Sequence, residues 1–187
     1  HIPTLCFLKD INEIGACRVC LVEVKGGKAL QASCVLPATE GMEVQTSTPA
    51  VREARRAVVE LLLSNHPLEC PTCQRNTSCE LQSLAGDLGI REIGYPGERT
   101  KLPVDTSTPS IVRDPNKCVL CRRCISMCQK VQGVSILGAS GRGFNTVIGP
   151  AFREDLAQMP CAMCGQCINV CPVAALREKD DTGQTLM

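Results

Sequence analysis

The chain offers sixteen metal-ligand side chains in four spaced sets, and they use every one of its fifteen cysteines. Cys118, Cys121, Cys124 and Cys128 form C-x2-C-x2-C-x3-C, and Cys161, Cys164, Cys167 and Cys171 repeat it, followed by Pro172. His66, Cys70, Cys73 and Cys79 form H-x3-C-x2-C-x5-C, and Cys6, Cys17, Cys20 and Cys34 form C-x10-C-x2-C-x13-C. Thiolates and imidazole in fours bind soft metals, and four cysteines packed into eleven residues suit the corners of a cubane cluster. In two-cluster ferredoxins the fourth cysteine of each motif ligates the other cluster. The spacing therefore predicts one 4Fe–4S site from Cys118, Cys121, Cys124 and Cys171. It predicts a second from Cys161, Cys164, Cys167 and Cys128. Structural zinc also uses C-x2-C pairs, but this density, twice over, fits zinc poorly.

The other two sets are less regular. A histidine ending a helix is favoured by the dipole alone, but three cysteines follow His66 within thirteen residues, held open by Pro67 and Pro71. A neutral imidazole in place of a thiolate removes a negative charge and raises a cluster's potential. The set at Cys6, Cys17, Cys20 and Cys34 resembles plant-type 2Fe–2S ligation, except that its first gap is ten residues instead of four. Zinc or a 4Fe–4S cluster is the alternative for that set.

Composition agrees with interiors filled by something other than ring side chains. The hydrophobic fraction is an ordinary 44%, yet the aromatics are only Phe7, Tyr95, Phe144 and Phe152. An odd cysteine count in a chain of 187 residues argues against a disulfide framework. The formal charge of +1 omits thiolates; with four loaded clusters it becomes about −6, so the lysines and arginines carry no nucleic-acid inference. No apolar run approaches the ~18 residues of a membrane span, and no signal peptide is visible. Clusters of this kind need a reducing compartment, so a cytoplasmic protein is expected, with a peripheral place on a membrane complex left open. A start at His1, so close to Cys6, suggests missing upstream residues.

The elements that must hold these ligands are short. Cys20–Val24, Ala29–Leu36 and Met42–Val44 read as strands separated by Gly26-Gly27 and Pro37. Thr48-Pro49 starts a helix running to Ser64, with Val51, Ala54, Val58, Leu61 and Leu62 on its apolar face. A second helix is expected near Thr77, with Thr77 and Glu80 at capping-box spacing and Leu81, Leu84, Ala85 and Leu88 as its stripe. Residues 91–117 are rich in proline, glycine, serine and threonine and read as a linker. Val134–Leu137 and Phe144–Ile148 flank Gly138–Gly143 as a hairpin, with Gly141 and Gly143 as its turn glycines. Arg122 and Arg123 read as a solvated helix face, as tuners of a potential, or as partners in an intersubunit salt bridge. Met127 and Met163 read as packing. Serine, histidine and aspartate show no nucleophile arrangement, and there is no dinucleotide fingerprint.

The order of the sets, with I-P-T-L-C at 2–6 and H-P-L-E-C-P-T-C at 66–73, resembles the N-terminal iron–sulfur region of FeFe-hydrogenases. It is also similar to the complex I large iron–sulfur subunit, to NAD-dependent formate dehydrogenase, and to subunits of NAD-linked hydrogenases. S-I-V-R-D-P-N-K-C-V-L-C-R-R-C at 110–124 and A-L-R-E-K-D-D at 175–181 resemble most closely the subunits of NAD(P)-linked and electron-bifurcating hydrogenases.

The resemblance implies an α+β fold in three parts. These are a partial β-grasp 2Fe–2S domain at 1–47, a helical histidine-ligated module at 48–94 and, after a linker at 95–113, a two-cluster bacterial-ferredoxin-like domain at 114–178. A tail occupies 179–187. It implies 2Fe–2S at the first set and 4Fe–4S at the other three. The implied partners are a flavin- and NAD(P)-binding diaphorase-type subunit, a hydrogenase catalytic subunit and soluble ferredoxin. The readings then stand as an electron-transfer subunit, the N-terminal part of a larger catalytic polypeptide, and, remotely, a zinc-binding interaction module.

Overall fold

The computed structural model describes residues 1–95 and 97–182. Its elements are short because the loops between them carry the cysteines. Strands β1 (Leu21–Val24), β2 (Gln31–Ala32) and β3 (Val44–Gln45) form an antiparallel sheet in the order β2-β1-β3; β1 and β2 lie within their expected apolar stretches, and β3 shares only Val44 with the third. Helix α1 spans Pro49–Ser64 as predicted, and Thr48 Oγ1 accepts the Val51 amide at 3.3 Å, with proline at the first helical position.

The buried face of α1 differs from expectation. Val51, Arg55, Val59, Glu60 and Leu63 are buried, whereas Leu61 is 54% exposed. The face is rotated because Arg55 reaches the sheet, where its Nη2 donates to the Leu21 carbonyl at 2.6 Å. Glu60 is held by Arg56 at 2.8 Å. Partnered polar groups took positions that an apolar stripe alone assigned elsewhere.

Helix α2 is Glu80–Asp87, beginning three residues after Thr77. The expected capping box does not form. Thr77 is left-handed at φ +67°, its amide donates to Gln82 Oε1, and Glu80 turns instead to Arg123. Leu81 and Leu84 are buried as expected, with Ala85 and Leu88 packed against the same core.

Strand β4 (Ile111–Arg113) pairs antiparallel with the last strand of the chain, which closes the C-terminal part on itself; Val112 faces Arg177 across the ladder. Between them lie α3 (Arg123–Ser126), β5 (Gly138–Ser140), β6 (Val147–Gly149), α4 (Gln166–Asn169) and β7 (Leu176–Glu178). The hairpin exists, but β5 starts where the turn was expected. Gly141 is at φ +77°, and a Cβ there would run into the Asn145 carbonyl, so the turn needs glycine.

The two cysteine loops are near-copies in backbone. Leu120 (φ +54°) and Arg122 (φ +61°) in the first correspond to Met163 (φ +51°) and Gly165 (φ +70°) in the second. The copies diverge where Gln129 stands in place of the proline. A wide turn over Met127–Val131 continues the first helix, whereas Cys171-Pro172 follows the end of α4. One apolar core joins Leu5, Val19, Val59, Leu81, Ile111, Leu156, Ile168 and Val173 with buried cysteines from three of the four sets. Tyr95, Phe144 and Phe152 are all exposed.

Candidate metal centres

Three cavities collect three of the ligand sets. Cys118, Cys121, Cys124 and Cys171 line one, with Val119, Leu137, Ile148, Val173 and Ala175 supplying apolar wall. Cys128, Cys161, Cys164 and Cys167 line a second. Each therefore contains the fourth cysteine of the other motif, the crossing expected from the spacing. His66, Cys70, Cys73 and Cys79 line a third, with Lys117 and Arg75. Among the described residues no group of three or more histidine, cysteine, aspartate or glutamate side chains is arranged to hold a single metal ion. Soft donors around an apolar hollow fit a cluster of several atoms.

The N-terminal set comes together in two pairs. Cys20 Sγ lies 3.3 Å from Cys34 Sγ, and the Cys17 amide donates to Cys6 Sγ at 3.5 Å. Cys6, Cys17 and Cys20 are buried and Cys34 is half-buried. The thiol of Cys17 hydrogen-bonds the Cys6 sulfur, which with the Ala16 and Cys17 amides brings Cys6 down to about 6, while Cys17 is pushed up.

Burial pushes up the thiols of Cys34, Cys79, Cys118, Cys121, Cys124 and Cys167. Cys118 rises to about 11 and Cys121 and Cys167 to about 12, and Cys124 is pushed well above the ordinary thiol value. Cys34 rises to about 11 through burial and the neighbouring Cys20. A metal that replaces the proton removes that penalty and binds the thiolate. Burial, then the charge of Lys117, brings the His66 ring down to about 4. The imidazole is neutral at neutral pH and keeps a lone pair for a metal.

The ligand loops are also strained toward their sulfurs. Of the nine non-glycine residues with left-handed backbone among the described residues, Asp10, Arg18, Thr77, Leu120, Arg122 and Met163 lie inside cysteine sets. Such residues cost about 1–3 kcal/mol each, and here they turn amides inward: Leu120 N–H donates to Cys118 Sγ at 3.4 Å. The Arg123 amide does the same for Cys121, and those of Leu81 and Gln82 for Cys79. Hydrogen bonds to sulfur are one of the levers that set a cluster's potential.

Three non-ligand residues tie the sites together. Asn12, fully buried, donates through Nδ2 to the carbonyls of both Cys6 (2.7 Å) and Cys121 (3.1 Å). Glu80 pairs bidentately with buried Arg123 at 2.6 and 2.9 Å, and its amide donates to the Pro172 carbonyl. Lys117 places its Nζ 3.7 Å from Cys73 Sγ. Arg123 is thus neither a solvated face nor free for a partner, whereas Arg122 is exposed. Met127 is buried and Met163 packs against the core. A lone asparagine, glutamate or lysine has no periodicity to give it away; only the D-P-N-K-C stretch marked Lys117, and then only by resemblance.

Comparison with known proteins agrees with this arrangement. Residues 1–49 match the 2Fe-2S iron-sulfur cluster binding domain, residues 55–93 the NADH-ubiquinone oxidoreductase-G iron-sulfur binding region, and residues 108–177 the ferredoxin-like domain of NADH-quinone oxidoreductase subunit 3. The chain is 47% identical over 185 residues to the NADP-reducing hydrogenase subunit HndD of Solidesulfovibrio fructosivorans, covering 96% of this chain and 32% of that protein. It is 38% identical to the mitochondrial NADH dehydrogenase [ubiquinone] iron-sulfur protein 1 of Solanum tuberosum, covering 95% of this chain and 24% of that protein. It therefore spans less than a third of either curated relative.

The fold superposes on a chain of the NAD+-reducing [NiFe]-hydrogenase in the H2-reduced state with a TM-score of 0.88 and 31% identity, covering 96% of this chain and 76% of that one. No helix among the described residues is long and apolar enough to cross a membrane. With 2Fe–2S and 4Fe–4S domain matches in this order and that structural likeness, the chain belongs to the iron–sulfur protein family shared by NAD(P)-linked hydrogenases and the NADH-quinone oxidoreductases.

Proposed function

We propose that the chain is an electron relay holding one 2Fe–2S cluster on Cys6, Cys17, Cys20 and Cys34 and three 4Fe–4S clusters. The latter sit on His66, Cys70, Cys73 and Cys79; on Cys118, Cys121, Cys124 and Cys171; and on Cys161, Cys164, Cys167 and Cys128. The observation that carries this reading is that each of three cavities gathers one complete set of four donors, crossed cysteines included. In this reading residues 1–47 are a partial β-grasp ferredoxin domain, 48–94 the histidine module, 95–113 a linker, 114–178 a two-cluster ferredoxin domain and 179–187 a tail. The last five residues of that tail lie outside the described ones.

A bound cluster takes up and passes on one electron at a time. The chain's own contribution is to hold the ligands, exclude water and set potentials. Asn12 and Glu80 fix the spacing between sites, apolar walls lower the local dielectric, and inward amides stabilise charge on sulfur. Electrons would pass between a flavin- and NAD(P)-handling diaphorase-type partner and a hydrogenase catalytic partner, with soluble ferredoxin a third party if the complex bifurcates. The names of the relatives support this direction.

The test is anaerobic reduction followed by visible absorbance. Dithionite bleaches the protein; NAD(P)H bleaches it only when a flavin-bearing NAD(P)H-oxidising partner is added. Rapid bleaching by NAD(P)H alone overturns the relay reading. The short coverage of the relatives favours a second reading, a segment of a longer catalytic polypeptide. The mass of the intact native polypeptide separates the two: one several-fold above this chain's supports the second.

A further inference from the structure

Lys117 stands at the junction of two sites. Its Nζ lies 3.7 Å from Cys73 Sγ, and its side chain lines the same cavity. The next residue is Cys118, in the set around the neighbouring cavity. One residue thus touches a donor of the histidine set and is peptide-bonded to a donor of the next.

Its charge is not spent elsewhere. Among the described residues it enters none of the four ion pairs, and its hydrogen bond is to the sulfur. Arg75, the other cation lining that cavity, donates instead to the Ile168 carbonyl at 2.9 Å. Glu69, which also lines it, is exposed. Lys117 itself is half-buried, where a charge is screened less than at the surface.

We propose that Lys117 is a potential-setting residue of the histidine site: its ammonium on Cys73 favours the reduced state. The inference rests on the ligand assignment proposed above. A reduced cluster carries one more negative charge than the oxidised one, so a fixed cation nearby stabilises it. That acts in the same direction as the imidazole, which removes a thiolate's charge. The lysine charge thereby raises the potential of the histidine site above what its ligands alone would give.

The test is a redox titration of the full-chain holoprotein followed by electron paramagnetic resonance, with iron content measured on each sample. Lys117→Met and Lys117→Gln remove the charge and Lys117→Arg keeps it; His66→Cys identifies the signal of the histidine site. Both charge-removing variants are expected to retain iron. At fixed applied potential they should lower the reduced-to-oxidised ratio of the histidine site about tenfold, about 59 mV for one electron. Smaller shifts are expected at the Cys118 site and none at the other two, and Lys117→Arg should stay near wild type.

Unchanged potentials, an equal shift at all four sites, or an arginine variant displaced as far as the methionine one overturns the proposal. So does loss of iron in both neutral variants, which makes the residue structural. A wild-type protein without the histidine-site signal refutes the ligand assignment itself, a failure distinct from that of Lys117.

Discussion

The side-chain amide of Asn12 donates at 3.1 Å to the carbonyl of Cys121, 109 positions away, while the same nitrogen donates to Cys6 at 2.7 Å. Its oxygen accepts the Ser126 hydroxyl at 2.7 Å. One buried asparagine therefore locks a donor of the N-terminal set to a donor of the first ferredoxin-like site. Asn12→Leu leaves two carbonyls and a hydroxyl unpaired, at about 1–3 kcal/mol for each group stranded. The expected outcome is a holoprotein destabilised by about 3 kcal/mol or more, with faster bleaching in denaturant and weakened spin–spin interaction between those two clusters. Unchanged stability and spectra would show that the bridge is incidental.

The Arg123–Glu80 pair predicts an asymmetry. Arg123 has a side chain only 6% exposed, whereas Glu80 is 45% exposed. Glu80→Leu strands a buried cation and should cost about 3 kcal/mol. Arg123→Leu frees a carboxylate that water can reach and should cost about 1 kcal/mol. Denaturation of the two variants under identical anaerobic conditions checks this; equal losses contradict it.

Acid sensitivity has a defined contributor in Asp105. Burial alone would raise its carboxyl, but hydrogen bonds from Ser107 and the Leu156 amide, with the charge of Arg113, bring it below its ordinary value of 3.8. A depressed folded value means the unfolded chain binds the proton more tightly, so this contribution is full above 3.8 and disappears as pH falls through the folded value. The stability difference between wild type and Asp105→Asn should therefore be constant near neutrality and shrink only below that point. A difference that already shrinks between pH 7 and 5 is incompatible with the assignment.

His66→Cys replaces a neutral donor with a thiolate. The site should keep its iron and fall in potential, because the added negative charge disfavours the electron. His66→Ala should change the number or shape of the reduced-state resonance signals. Spectra identical to wild type in both variants would remove His66 from the ligand set.

What the chain reveals locally follows from the range of each interaction. Cysteine spacing is local, so the grouping in the two ferredoxin-like motifs could be read directly, and even the crossing came from a rule about where the fourth residue points. Helix α1 was legible at both ends because Thr48, Pro49 and Pro67 act within a turn. Its buried face was not, since Arg55 is drawn in by Leu21, 34 residues away. Thr77 and Glu80 had capping spacing, but Glu80 forms a stronger pair with Arg123, 43 residues away. The reach of Asn12 to Cys121 and of Lys117 to Cys73 escaped for the same reason: those partners lie in other ligand sets, 109 and 44 residues away.

The most direct test of the central claim is metal analysis of the anaerobically purified chain. Four clusters on these sixteen ligands predict about 14 iron atoms per chain, two in one set and four in each of the others, with matching labile sulfide. Substantial zinc with little iron would contradict the entire account.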